Sequence, residues 1–368
     1  MYNWQFPDWP DFKFSPDAFR DRGLKIIHHF GELNGLLKGL PIELSNDLYL
    51  TSLTDEAVNS SLIEGERIRP AEVRSSLERQ LQIGRPGNIY DQRAACVAKL
   101  ALEVRRNWNT PLTQDTLYRM HEMLMAPYPG ISVGNYRAGT ADMQIVSGAI
   151  GQETIHFVAP PSERVPAEMD RFIHWFNIRD RSLPTGVITA LGHLYFESIH
   201  PFEDGNGRIG RALAHQCLAR QLGGPLPFSL SPVLNDDKKK YYNELQTAQR
   251  TLRVDAWIDF FTKTILSAQK NAYATMRRVS NKTRYFKHWE GKLNIRQEKV
   301  LNLMWNSEKF EGGMSTKKYR SITRCSPATA TRDLTELMHL GALIRRGTGK
   351  STRYELPDQR TFSGLIEE

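Results

Sequence analysis

Residues 200–211 read HPFEDGNGRIGR. The stretch holds one imidazole, His200, one carboxylate at Asp204, a Gly-Asn-Gly turn over 205–207, and two arginines, Arg208 and Arg211. A Gly-rich turn that opens a helix leaves free backbone N–H groups at the positive end of the helix dipole, which makes an anion site. Gly205 and Gly207 tolerate positive φ and let backbone come close to a phosphate. Arg208 and Arg211 are three residues apart, so they share a helix face and reach successive phosphates. Asp204 offers a hard oxygen suited to Mg²⁺ carried by a nucleotide. With an ordinary pKa near 6.5, His200 suits removal of a proton from a hydroxyl.

Working outward, both flanks read as helix. Val187, Leu191, Leu194 and Ser198 share a face over 186–199, and Ile209, Leu213 and Cys217 do so over 207–221. Further helices are predicted at 47–65, 70–82, 90–107, 113–126, 165–178, 236–250 and 254–275. Strand signals are confined to Met143–Ser147 and Ile155–Val158, a β-hairpin closed by Gly148–Thr154. The aromatic- and Pro-rich first 20 residues are expected to lie extended against the helical body. RVSNKTRYFKH, from Arg278 onward, reads as a connector. Beyond it, helices are predicted at 294–305, 315–322 and 327–339, followed by LIRR, a GTGK turn and STRYEL. The fold class is therefore mainly α: a helical core with a β-hairpin flap, and a small C-terminal domain.

HPFEDGNGRIGR resembles the HPFx(D/E)GNGRxxR signature of the Fic family without departure, and the resemblance covers residues 90–275. It implies a protein adenylyltransferase that uses ATP with Mg²⁺. His200 would be the general base and Asp204 the metal ligand. Asn206 and the backbone of Gly205 and Gly207 would cradle the α- and β-phosphates, and Arg208 and Arg211 would hold the β- and γ-phosphates. Pro201 and Phe202 would shape the loop. Family members that act as kinases carry Lys where this chain has Gly207, so AMP transfer is favoured. The hairpin resembles the family's flap, which aligns a target segment by strand addition, and Gly134–Arg137 (GNYR) is similar to a family feature beside it. Tyr241, Tyr242 and Asn243 are candidates for the adenine wall or, equally, for core packing.

Residues 60–65, SSLIEG, resemble the family's inhibitory motif [S/T]xxxE[G/N], with Ser60, Glu64 and Gly65 in the matching places. A Glu64 carboxylate set against Arg211 would compete with ATP. The segment with Trp4, Phe6, Trp9 and Phe12 looks like the module that precedes Fic cores in many bacterial chains. Residues 290–356 resemble a winged helix. Its recognition helix would start at Ser326 and Pro327, with Thr329, Thr331 and Arg332 exposed and Arg345, Arg346, Lys350 and Arg353 on the wing. The expected domains are thus 1–89, 90–280 and 290–356.

Charge agrees with that division. The net charge is +8. Residues 281–356 hold 16 Lys/Arg against 7 Asp/Glu, a balance of +9, while 357–368 carry −2 and 1–280 only +1. A local surplus suits a polyanion. Double-stranded DNA, a protein partner and a homodimer all remain open for the C-terminal domain. Cys96, Cys217 and Cys325 are far apart and form no metal-like spacing, so reduced thiols in a cytoplasmic protein are expected. No apolar run reaches the roughly 20 residues that span a bilayer, and no signal peptide is evident at the N-terminus. Beside the adenylyltransferase, two functions stay open: a DNA-binding regulator with a nucleotide-sensing core, and an enzyme that removes AMP with Glu64 positioning water.

Overall fold

In the computed structural model, residues 1–83, 87–147, 154–178, 182–306 and 313–357 are described. The chain divides into two units, Met1–Met276 and Arg277–Glu368.

The first unit is built from α1 (Arg20–Lys38), α2 (Ile42–Ile63), α3 (Pro70–Leu81), α4 (Gln92–Arg106), α5 (Gln114–Met125), α6 (Val165–Asn177), α7 (Val187–Ile199), α8 (Asn206–Leu222), α9 (Ser231–Asp236), α10 (Lys238–Ala248) and α11 (Asp255–His288) up to Met276, the rest of α11 belonging to the second unit. Local chemistry sets many of the starts. Asp91 and Thr113 cap α4 and α5 by accepting from the N–H of Arg93 and Thr116, and a proline occupies the first turn of α3, α6 and α9. Burial sets the centre. Every residue of α7 from Val187 to Ile199 is buried, and α7 packs on α8 through Ile209, Leu213 and Cys217. A helix apolar on all sides belongs inside a bundle.

The hairpin has strands β1 (Gln144–Ser147) and β2 (Thr154–Val158), antiparallel, with a bulge between Ile145 and Val146. Phe157 anchors it in the core, while Val146 and Ile155 are exposed. Of the predicted closing loop Gly148–Thr154, Thr154 already belongs to β2 and 148–153 lie outside the described residues.

The structure departs from expectation in several places, among them the early start of α2 at Ile42 and the additional helix α9. The N-terminal segment is not simply extended: it forms 3₁₀ turns at Asn3–Gln5 and Pro16–Phe19, and α1 follows with no helix expected there. Its anchors are tertiary, with Asn3 donating to Ser198 Oγ at 2.8 Å and Trp4 to the Val158 carbonyl at 2.7 Å. The predicted helix 236–250 breaks at Asp237, which caps α10 by accepting from Lys240 N. The basic stretch after residue 278 is not a connector but the end of α11. It contains neither Gly nor Pro, and Tyr285 is fully buried there while its charged neighbours face outward.

In the second unit, α12 (Ile295–Asn306), α13 (Thr316–Thr323) and α14 (Pro327–His339) precede an antiparallel pair, β3 (Ile344–Arg346) and β4 (Arg353–Glu355). Met314 forms a bridge to Tyr354. Tyr285, Val300, Leu301, Met314, Tyr319, Leu334, Leu337 and Leu343 make its core. Ser315 and Ser326 cap α13 and α14. No described helix is long and apolar enough to cross a membrane.

Candidate active site

The turn between α7 and α8 is held from several sides. His200 ends α7 in the left-handed region, φ 51° and ψ 61°, which is uncommon for a non-glycine residue. Arg137 secures that conformation. Its guanidinium donates to the carbonyls of His200 (2.8 Å), Ile199 (3.3 Å) and Pro160 (2.5 Å) and to Ser162 Oγ (3.0 Å), and its own N–H donates to the Pro201 carbonyl. Phe202 is fully buried and stacks on His121, ring centroids 4.1 Å apart. His121 in turn meets the Asp204 carbonyl at 3.3 Å and accepts from Gly134 N–H. Asn206 binds Phe202 through both ends of its amide, at 2.8 and 2.9 Å. Its side chain is thus committed to bracing the loop in this state. Gly205 starts α8 at φ +82°, where a Cβ would press on Met125.

His200 is 16% exposed. Burial, and after it the Arg137 charge, pull its pKa down to about 4, so the ring is neutral and able to accept a proton near pH 7. Its Nδ1 lies 4.0 Å from a Glu197 carboxylate oxygen.

The two arginines meet the end of α2 and the loop after it. Arg211 donates from Nε to Ser60 Oγ (2.9 Å) and from Nη2 to the Ser60 carbonyl (2.7 Å), and pairs with Glu64 at 2.8 Å. Burial alone would raise the Glu64 pKa, but Arg211 overcomes it and holds the carboxyl below its usual range. A methyl group at Gly207 would run into Glu64 Oε1, so this carboxylate lies directly over the GNG turn. Gly65 follows at φ +86°, a conformation that glycine takes readily. Arg208 pairs with Glu66 at 2.9 Å, and Tyr128 OH donates to the same carboxylate at 2.6 Å. Asp204 is 54% exposed, 3.6 Å from Arg208.

Ser60, Glu64, Gly207 and Arg211 therefore come together around the turn that carries His200, Asp204 and Arg208. The tyrosine pair divides. Tyr241 is fully buried beside His193 and Trp257, its hydroxyl 2.8 Å from His193, so the structure places it in the core rather than in an open wall. Tyr242 is half-buried, with its hydroxyl 3.4 Å from Glu64, while Asn243 is exposed. Sequence reasoning missed His121, Tyr128, Glu66, Glu197 and the grip of Arg137 on the loop. Two of these had a signal: Glu66 stands two residues after Glu64, and Glu197 is the one acid in the apolar run 187–199.

In the second unit, Thr331, Arg332, Arg345 and Arg346 are exposed, while Thr329 and Arg353 are half-buried.

The family model described as Fic/DOC family matches residues 111–218, and a domain of unknown function, DUF4172, matches residues 2–83. Among curated proteins, the chain is 28% identical over 193 residues to the protein adenylyltransferase Fic of Drosophila virilis, covering 50% of this chain and 36% of the relative. It is 27% identical over 249 residues to the Aedes aegypti protein of the same name, covering 63% and 46%. The chain thus spans less than half the length of either relative. Its fold is similar to that of a Fic family protein from Desulfovibrio desulfuricans (TM-score 0.53, 19% identity, 95% of this chain and 98% of that one). A Fic domain containing signaling protein from Bacteroides thetaiotaomicron is similar too (TM-score 0.53, 19% identity, 70% and 97%). With the 200–211 loop inside the matched region, the chain carries a Fic/DOC-family domain over residues 111–218.

Proposed function

We propose that this chain transfers AMP from ATP to a Tyr, Thr or Ser hydroxyl of a target protein, and that Glu64 restrains it. One observation carries the reading. Arg208 Nε and Arg211 Nη1 are buried without a hydrogen-bond partner around a glycine turn at the start of α8, beside a neutral imidazole. Unsatisfied buried cationic N–H groups are costly, and phosphate oxygens would satisfy them. The name shared by the curated relatives supports the same chemistry.

In this mechanism the backbone N–H groups at the start of α8 receive the α- and β-phosphates, and Arg208 and Arg211 receive the β- and γ-phosphates. Tyr242 is the remaining candidate for the adenine wall. The target hydroxyl, delivered along the hairpin, attacks the α-phosphorus. His200 takes its proton as the new P–O bond forms, and the bond to pyrophosphate breaks with its electrons leaving on that group. The cations and helix N–H groups stabilise charge on the leaving oxygens. Asp204 fits a Mg²⁺ that arrives with ATP, because it is an exposed carboxylate next to the phosphate loop and Mg²⁺ keeps several water and phosphate ligands. That ion would neutralise phosphate charge. Glu64 restrains transfer by occupying Arg211 and the space over Gly207.

Incubation with ATP labelled at the α- or the γ-phosphate tests the reading. Label from α alone on protein is the expected result. Label from γ, or none from wild type and the Glu64→Gly variant alike, would refute it.

For the second unit we propose DNA binding through α14 and the β3–β4 wing, supported by the three-helix and hairpin order and by exposed Arg332, Arg345 and Arg346. Affinity should fall steeply with salt as counterions are released. A gel-shift titration without binding at low salt would leave a protein-interaction module, homodimerisation included.

A further inference from the structure

Glu197 lies in the last turn of α7, in the interior of the first unit. Its carboxylate occupies a notch in α8: a methyl group at Gly210 would collide with Oε1 and approach Cδ to 3.2 Å. Oε1 is buried and has no hydrogen-bond partner. The residue after Gly210 is Arg211, whose Nη1 is likewise buried and unpartnered. A carboxyl oxygen and a guanidinium nitrogen, both orphaned, thus lie on two helices packed against each other. Arg211, 2% exposed, presently has its charge answered by Glu64 at 2.8 Å. Once Glu64 leaves, a buried guanidinium without a carboxylate would be strongly unfavourable.

We propose that Glu197 is the standing counter-charge of Arg211, a positioning residue that holds the guanidinium in the phosphate site whenever Glu64 is away. This rests on the reading of Glu64 as the group that yields Arg211 to the nucleotide.

The groups facing Glu197 support an exchange of partners. They are Arg211 on α8, Glu64 at the end of α2, Tyr241 and Tyr242 on α10, and the His200 ring. Burial first, with the Glu64 charge added, pushes the Glu197 carboxyl up to about 8 against the pull of Arg211. With Glu64 in place, Glu197 therefore keeps its proton and Arg211 has one ionised partner. Removal of Glu64 deletes the repulsion and leaves the pull of Arg211 working against burial. Glu197 then releases its proton to solvent and becomes the ionised partner. Orientation of His200 does not need this carboxylate, because the 4.0 Å carboxylate distance is too long for a hydrogen bond.

Four proteins test the proposal: wild type, Glu64→Gly, Glu197→Gln and the double variant. Gln is a near-isostere of a protonated Glu. Glu197→Gln should shift the melting temperature of the wild type by less than about 2 °C. In the Glu64→Gly background it should lower it by at least about 5 °C beyond the sum of the single effects. In ¹³C-carboxyl-labelled protein, the titration midpoint of Glu197 should fall on Glu64→Gly. Additive melting shifts with an unmoved midpoint would overturn the proposal. If Glu64→Gly folds poorly, Glu64→Gln allows the same titration. Coupling without any gain in AMP transfer by Glu64→Gly would sustain the counter-charge and sink only the restraint reading.

Discussion

Replacing Glu64 by Gly should release AMP transfer, and the geometry sets the size of the effect. The Glu64 carboxylate makes a charge-assisted contact of 2.8 Å with a guanidinium that is 2% exposed. Such contacts are worth about 1.5–3 kcal/mol. Glu64 itself is 29% exposed, so solvent screening places this pair toward the lower end. At about 1.4 kcal/mol per tenfold change, removal should raise the nucleotide-competent population about ten- to thirtyfold. The substitution also clears the space over Gly207, through which phosphate must approach the α8 N–H groups. Backbone strain adds little cost, because Glu64 has φ −82° and the left-handed position that follows is already Gly65. The assay is automodification with α-labelled ATP, compared at equal folded protein, with the ATP dependence measured alongside. Unchanged transfer would refute the restraint. Transfer below wild type would make Glu64 a catalytic group, most simply one that positions water for AMP removal. Tighter ATP binding without more transfer would show that the pair blocks entry and leaves alignment untouched.

Glu66→Gln should tighten ATP binding about three- to tenfold, less than Glu64→Gly, because the amide oxygen still accepts from Arg208 while the competing charge is gone; calorimetry showing weaker binding would make Glu66 a support for Arg208. His200→Ala should lower transfer by more than about 10²-fold with ATP affinity kept, and near wild-type transfer would remove His200 from the chemistry. Because burial holds the His200 pKa at about 4, the acid limb of transfer in Glu64→Gly should fall well below pH 6.5, and a limb at 6.5 would contradict that burial. The same shift bears on stability: the unfolded chain binds the proton first as pH drops below 6.5, so the contribution of neutral His200 is complete above 6.5 and is lost as pH falls toward 4, as urea titrations at several pH values would read.

Much of the site was legible because its determinants are local. A GNG turn ahead of an apolar helix, arginines three residues apart and a histidine at the end of the preceding helix are spacing facts, and spacing along a helix becomes geometry directly. The hairpin and the caps at Asp91, Thr113, Ser315 and Ser326 follow from turn and capping chemistry in the same way. Helix α1 was not legible: its apolar residues are spread around it, with Leu24 62% and Ile27 49% exposed beside buried Ile26 and Leu33, and periodicity is weak when no single face carries the burial. The end of α11 was misread for a related reason. Composition marks it as a basic linker, and only the core of the second unit shows that Tyr285 is an anchor.

The sequence by itself determined the glycine turn with its histidine and paired arginines, the mainly helical class and the concentration of positive charge after residue 280, because each depends on residues close together in the chain. The resemblance already set Glu64 against Arg211, but only the tertiary structure decided where the neighbouring carboxylates go. Glu64, Glu66 and Glu197 are all acids near helix ends, yet one meets Arg211, one meets Arg208 and one is buried in the notch at Gly210 without a bonded partner. It likewise turned Tyr241 inward and left Tyr242 at the site, although the two are adjacent. Partners separated by more than a hundred residues are chosen by packing, and burial then sets what each charge costs and therefore what it does.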